Sequence, residues 1–534
     1  LRSNKMAKMT VEQIIKRFNS AKARKEQWES VYEDCYRFAL PNRNLYEGYY
    51  TGKSVGQNKM ADVFDSTAIS STQRFANRIQ SGLFPPQNNW CRLEPGNDIP
   101  EDQRVEVQRI LDVYSENMFT IIKNSNFDLA MGEFLLDLCV GTAVMLIEEG
   151  DELMPIQFTA VPMYLVYFEE GAYGRVENVY RALRLKAEQI PVQFPDAELN
   201  ETLKRKIKDN PIEEIEFLEA TVKDLETGKF SYCIIFQQEK FKMVERKLNF
   251  SPWVVSRYMK AAGEVYGRGP LTAAIPDIKT LNKTKELLLK NASLAIAGVY
   301  TAADDGVLNP NTVTLKPGAI IPVARNGGPQ GESLRPLSRS GDPQLSQIVI
   351  DQLQMSIKKI LLDESVPRDD MSARSATEIQ QRIQELAQNL GSAFGRLITE
   401  VMTPVVQRTL QIMDAQNLIE LPLKVNGLEV TIKPVSPIAM SQNQEKINNL
   451  LQFAQIAQQL GPEGQTSVKI GAAADFIADN LGIPAEVRNT AEERAALIEQ
   501  AAMMAQQAAQ AELQATQPQQ GAEMQEEPPM EEPT

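Results

Sequence analysis

Val11, Ile14, Ile15, Phe18, Trp28, Val31, Tyr32, Cys35 and Phe38 recur at helical spacing, which predicts an amphipathic helix over 10–39. Pro41 stops it, and a loop rich in Tyr and Gly follows over 44–57. A second helix spans 65–83, opened by Asp65 or Ser66 as N-cap and closed by Gly82 and Pro85-Pro86. Pro100 opens a third, running to about 124. Residues 127–138 read as a buried helix leading into a strand over 143–148. The period then drops to two. Short β-branched and aromatic runs at 158–161, 164–168, 176–185, 215–223, 230–237 and 253–258 predict strands, with one helix near 196–208 among them. Residues 1–260 are therefore expected to form an α+β body with an antiparallel sheet.

Beyond Gly267-Arg268-Gly269-Pro270 the pattern turns mostly helical. One helix covers 271–297, about 40 Å at ~1.5 Å per residue, with Pro276 near its start. Residues 298–341 are rich in Gly, Pro and Asn, with room for short strands at 312–315 and 319–323. A second long helix follows over 343–362. Polar residues 363–374 come next, then Ser375-Ala376-Thr377-Glu378, which fits a capping box opening a helix to about 417. Gly391, Gly395 and Pro404 should bend that helix. A strand pair is expected over 421–435, then helices near 441–460, 467–481 and 490–515. Residues 517–534 carry only acidic charges among Pro, Gln and Gly, a composition of disordered tails.

The two long helices are both two-faced. On the first, Ala274, Ile278, Leu281, Leu288 and Leu289 share one arc, while Lys279, Lys283 and Lys290 lie nearly opposite. On the second, Gln347, Asp351, Gln354 and Lys358 form a polar stripe beside Leu345, Ile348, Val349, Leu353, Ile357 and Ile360. From Glu264 to Asp370 acidic and basic residues balance, although the whole chain carries −14. A near-neutral face with isolated lysines suits sliding along nucleic acid better than gripping it.

Composition narrows the chemistry. The chain has 534 residues and no histidine, which removes Ser–His, Cys–His and Zn–His sites. Its four cysteines have neither metal-ligand nor redox-motif spacing and read as reduced, partly buried thiols. No apolar run is long enough for a membrane span. The chain begins at Leu1 without a secretory pattern, and Met6 and Met9 are the candidate starts. Gly48-Tyr49-Tyr50-Thr51-Gly52-Lys53-Ser54 imitates a phosphate-binding loop but is one residue short, with no strand before it and no helix directly after it. Asp304-Asp305 and Asp369-Asp370 are adjacent carboxylates in polar loops, which are ordinarily just solvated. No cofactor, metal site or enzymatic activity is expected.

Phe64-Asp65-Ser66-Thr67-Ala68 followed by Leu83-Phe84-Pro85-Pro86 and Trp90 resembles the N-terminal signature of the head-to-tail connector (portal) proteins of T7-like short-tailed bacteriophages. So do Phe158-Thr159-Ala160-Val161-Pro162 and Gly174-Arg175-Val176-Glu177-Asn178-Val179-Tyr180-Arg181. Tyr266-Gly267-Arg268-Gly269-Pro270 and Met371-Ser372-Ala373-Arg374-Ser375-Ala376-Thr377-Glu378-Ile379 are similar to the segments around that family's stem and tunnel loop.

The resemblance implies a predominantly helical α+β portal fold. It places a wing over 1–266, stem helices over 267–297 and 343–362 and a small α/β clip over 298–342. A tunnel loop follows over 363–374, more wing over 375–435, and crown or barrel helices over 436–516. It implies a ring of twelve copies at a capsid vertex of the virion, assembled in the host cytoplasm. Double-stranded viral DNA would pass through during packaging and ejection. Terminase, a tail adaptor, and major capsid and scaffolding proteins would be partners, with no membrane involved. The channel candidates are Lys279, Lys283, Lys290, Gln347, Asp351, Gln354 and Lys358, with Arg368, Asp369, Asp370 and Arg374 in the tunnel loop. The alternative is another virion structural protein, a tail adaptor or internal core protein.

Overall fold

The computed structural model describes residues 9–45, 59–297 (except 87, 97, 101, 102 and 152), 300–302, 334–336, 343–363, 388–419, 429–460 and 467–515 (except 468, 482–488 and 490). Outside them lie the Gly48–Ser54 imitation, Asp304-Asp305, the strands expected at 312–323, the 375–378 capping box and the 517–534 tail.

Helix α1 (Val11–Ala39) opens on a capping box, with Thr10 and Gln13 each accepting the other's backbone N–H. Then come α2 (Thr67–Leu83), β1 (Cys91–Pro95), α3 (Arg104–Lys123), α4 (Phe127–Val140) and β2 (Thr142–Glu149). The third helix starts four residues after Pro100, whose carbonyl instead accepts from Gln103 N–H in a turn. Next are β3 (Ile156–Ala160), β4 (Val166–Glu170), β5 (Val176–Lys186), α5 (Ile190–Gln193), α6 (Glu201–Asp209), β6 (Glu214–Lys223), β7 (Phe230–Phe236), β8 (Phe241–Leu248) and β9 (Trp253–Arg257). The sequence reading lacked β8 and β1. It also began β4 too early, because Met163–Leu165 forms a 3-10 turn.

Beyond the body are α7 (Pro270–Ala297), β10 (Tyr300–Ala302), β11 (Leu334–Pro336) and α8 (Pro343–Ile360). They are followed by α9 (Ser392–Leu397), a π-helical turn (Ile398–Met402), α10 (Thr403–Ala415), β12 (Val430–Pro434), α11 (Pro437–Gln459), α12 (Ile470–Leu481) and α13 (Ala491–Ala515). The long helix expected up to 417 is thus interrupted. Gly391 takes φ +45° before α9, and the π turn absorbs Pro404, which has no N–H to donate. Of the strand pair expected over 421–435, the first part lies outside the described residues and the second is β12. β12 runs antiparallel to β1, with Leu93 opposite Ile432.

All described strand pairs are antiparallel. A three-stranded sheet has the order β3-β2-β9 and a five-stranded sheet the order β4-β5-β6-β7-β8. Both faces of the larger sheet are covered. Leu185, Phe217, Ile234 and Phe236 bury one face with Ile190 of α5 and Leu203 of α6. Tyr180, Leu218, Ala220 and Ile235 bury the other with Ile14, Phe18 and Ala21 of α1. The C-terminal half of α1 turns the same stripe into the main core, where Tyr32, Cys35 and Tyr36 meet α2, α4, β2 and the bases of α7 and α8. Each leucine, isoleucine or phenylalanine among them contributes about 1.5–3 kcal/mol by burial.

Lys25 is the exception on that stripe. Fully buried, its ammonium donates to the carbonyls of Met163, Tyr164 and Val166 at 2.5, 2.8 and 3.1 Å, tying α1 to the turn between the two sheets. All four cysteines are buried and free, more deeply than the expected partial burial.

Candidate functional site

Helices α7 and α8 form an antiparallel hairpin: Ser356 Oγ donates to Asp277 at 2.7 Å, and Tyr300 of β10 lies opposite Pro336 of β11. The sequence dictates where it leaves the body. Gly267 and Gly269 press against the α4–β2 junction so closely that a Cβ on Gly141 would collide with the Gly267 carbonyl, and one on Gly269 with the Cys139 carbonyl. Gly141 also sits at φ +153°. Tyr32 Oη donates to the Gly267 carbonyl at 3.3 Å, and the Arg268 guanidinium stacks 4.8 Å over Trp28.

The base of the hairpin is held by directional polar contacts from α2 and the residues before it. Asn282 Oδ1 accepts from Phe64 N–H at 2.7 Å, and Asn282 Nδ2 donates to the Asp62 carbonyl at 2.8 Å. The Asp65 carboxylate joins both arms, accepting from Lys285 of α7 at 2.6 Å and Gln354 of α8 at 2.9 Å. It also caps α2 through Thr67 N–H, whereas Ser66 makes no side-chain cap. Burial pushes the Asp65 carboxyl up, but Lys285, Thr67 and Gln354 outweigh it and hold it below the ordinary carboxylate value. At the end of α8, Ser71 Oγ donates to Asp363 at 2.7 Å, Arg74 to the same carboxylate at 3.3 Å, and Arg78 to the Leu362 carbonyl.

The expected channel residues divide. Lys279 is drawn to Asp34 of α1 at 2.9 Å, so it faces the body. Lys283 and Lys290 share Glu286 at 2.9 and 2.5 Å and are mostly exposed. Their sharing of one carboxylate cancels one of the two positive charges and leaves the other. Gln347 donates to Asp351 at 2.8 Å on the exposed part of α8, whereas Gln354 is turned to Asp65 and Lys358 is half-buried. The polar stripe on α8 is therefore split between solvent and α2. Arg368, Asp369, Asp370 and Arg374 lie outside the described residues.

The apolar arcs also need correction. Ala274, Ile278 and Leu281 are buried as expected, but Leu289 is 54 % exposed, with Leu287 at 55 %. On α8, Ile350, Ile357 and Leu361 are buried, whereas Ile348 is 55 % and Met355 69 % exposed. The sequence reading missed Asn282, Lys285, Asp65 as a bridge, and the Ser71–Arg74–Arg78 row. The one available signal was the i, i+3, i+7 spacing of that row along α2.

Comparison with known proteins gives the same direction. The family described as bacteriophage head to tail connecting protein matches residues 11–488. The probable portal protein of Bordetella phage BPP-1 is 23% identical over 501 residues, covering 89% of this chain and 88% of the relative. The portal protein of Enterobacteria phage T3 is 20% identical, covering 88% and 87%, and that of Escherichia phage T7 21%, covering 79% and 78%. A solved chain from the neck of an empty GTA particle aligns at 11% identity and TM-score 0.34, covering 73% of this chain and 88% of that one. The family match runs from the start of α1 through both arms of the hairpin and on to α12, so the chain belongs to the bacteriophage head-to-tail connecting proteins.

Proposed function

We propose that this connector works as a portal. Many copies, twelve by family likeness, close into a ring at one capsid vertex of the virion. Double-stranded DNA passes through the middle during packaging and ejection. In this reading 1–266 and 375–435 form the wing, 267–297 and 343–362 the stem, 298–342 the clip and 363–374 the tunnel loop. Residues 436–516 form the crown or barrel. Terminase and a tail adaptor dock on the ring, which assembles in the host cytoplasm with major capsid and scaffolding proteins. Its role is structural and calls on no cofactor.

The observation that carries this reading is the family match through the whole hairpin. Two features of the chain support it. The hairpin keeps Leu287, Leu289, Ile348 and Met355 exposed, apolar surface that neighbouring copies could cover. Lys283 and Lys290 share Glu286, which cancels part of their charge and leaves a weakly basic face that could meet phosphate without gripping it. Labelling the protein in intact particles tests the reading: signal at the single junction of head and tail supports it. Signal distributed through the tail, or in the head interior away from a vertex, would point to an adaptor or core protein instead.

A further inference from the structure

Leu362 closes α8 with φ +54°, one of three non-glycine residues at positive φ among the described residues. Its N–H donates to the Lys359 carbonyl at 3.1 Å and the Asp363 N–H to the Lys358 carbonyl at 2.7 Å, the paired closure of a helix that usually has glycine at this position. A leucine there sets its Cβ against the following carbonyl, so the right-handed conformation is the cheaper one for it. The strained state persists because α2 grips both residues. The Asp363 side chain is fully buried against Ser71 and Arg74, and Arg78 takes the Leu362 carbonyl. The three gripping residues lie on one face of α2, whose lead-in also holds Asn282, Lys285 and Gln354.

We infer that the Leu362–Asp363 cap is a strained latch, held by Ser71, Arg74 and Arg78, and that it makes the direction in which the chain leaves α8 depend on the position of α2. Released, Leu362 returns to the right-handed region and α8 gains residues at its end. Held, the chain turns at Leu362. Arg74 is the point at which the latch is open to solvent, being half-exposed while its carboxylate partner is not. Only the consequence in the particle rests on the portal reading; the latch itself is a property of the chain.

Hydrogen–deuterium exchange of the full-length protein, followed in the peptide that contains Ile357–Asp363, tests it. Leu362→Gly removes the steric cost of the held state, so exchange at the Asp363 amide should slow several-fold. Asp363→Asn and, as a milder change that keeps the core filled, Ser71→Ala should speed it about tenfold. Faster exchange in Leu362→Gly, or unchanged exchange in both other variants, would overturn the latch. DNA retention in particles carrying Ser71→Ala then tests its role separately. Retention equal to wild type beside the expected exchange would keep the latch and remove that role.

Discussion

The five-stranded sheet and the α7–α8 hairpin are held in opposite ways. The sheet has apolar layers on both faces, supplied by α1 on one side and by α5 and α6 on the other. Its stability is therefore complete within one chain. The hairpin's apolar packing is densest at its base, around Ile278, Leu281, Ile357 and Leu361, and continues outward through Ile350, reinforced by directional polar contacts to α2. Unlike the sheet, it also leaves Leu287, Leu289, Ile348 and Met355 more than half exposed. The difference separates a part whose apolar layers are covered within the chain from a part that leaves large apolar side chains in solvent.

The largest effect should come from the sheet. Phe236→Ala empties a fully buried site and should cost about 3–5 kcal/mol in chemical denaturation. A loss under about 1 kcal/mol would mean that the sheet is not the self-sufficient half. Gly141→Ala should follow, at about 3 kcal/mol, because a Cβ meets the Gly267 carbonyl at a backbone angle that disfavours side chains. It strikes the junction between the two regions, so its unfolding should broaden or split if they are separately cooperative.

Asp65→Asn should cost about 2 kcal/mol by leaving Lys285 without its counter-charge. It also has a pH signature. The folded carboxyl lies below its ordinary value, so the unfolded chain binds the proton first as pH falls. The stabilisation is complete above about pH 5 and disappears as pH drops through the folded value, below about 4. Wild type should therefore lose stability there relative to Asp65→Asn, and parallel curves for the two would sink the polar-clamp account.

How much of this was legible beforehand follows from the same contrast. Apolar periodicity is local, and it placed α1, α2, α4 and both long helices nearly to the residue. β8 escaped because Phe241–Leu248 is an edge strand, half of it charged, with little alternation to read. β1 escaped because its partner β12 lies more than three hundred residues away, and no spacing rule reaches that far. The site was harder still. Lysines 279, 283 and 290 share a helical arc, but tertiary contact draws Lys279 to Asp34 and leaves the other two with Glu286. Lys285 and Asn282 looked ordinary in sequence, since their partners come from the segment before α2.

On the hairpin, effects on folding should be smaller. Leu287→Ser with Ile348→Ser should change the stability of the single chain by less than about 1 kcal/mol, because both residues are already exposed. The same pair should abolish assembly, read by light scattering. Neutralising Lys283 and Lys290 as glutamines should be the mildest of all, within about 0.5 kcal/mol. Ring assembly should survive, while DNA packaging or retention changes.

Electron microscopy of the purified full-length protein tests whether the hairpin's exposed apolar residues serve assembly into a closed connector. The expected class averages are closed rings with a central opening. A monodisperse monomer across assembly conditions, with no rings in any class, would contradict it.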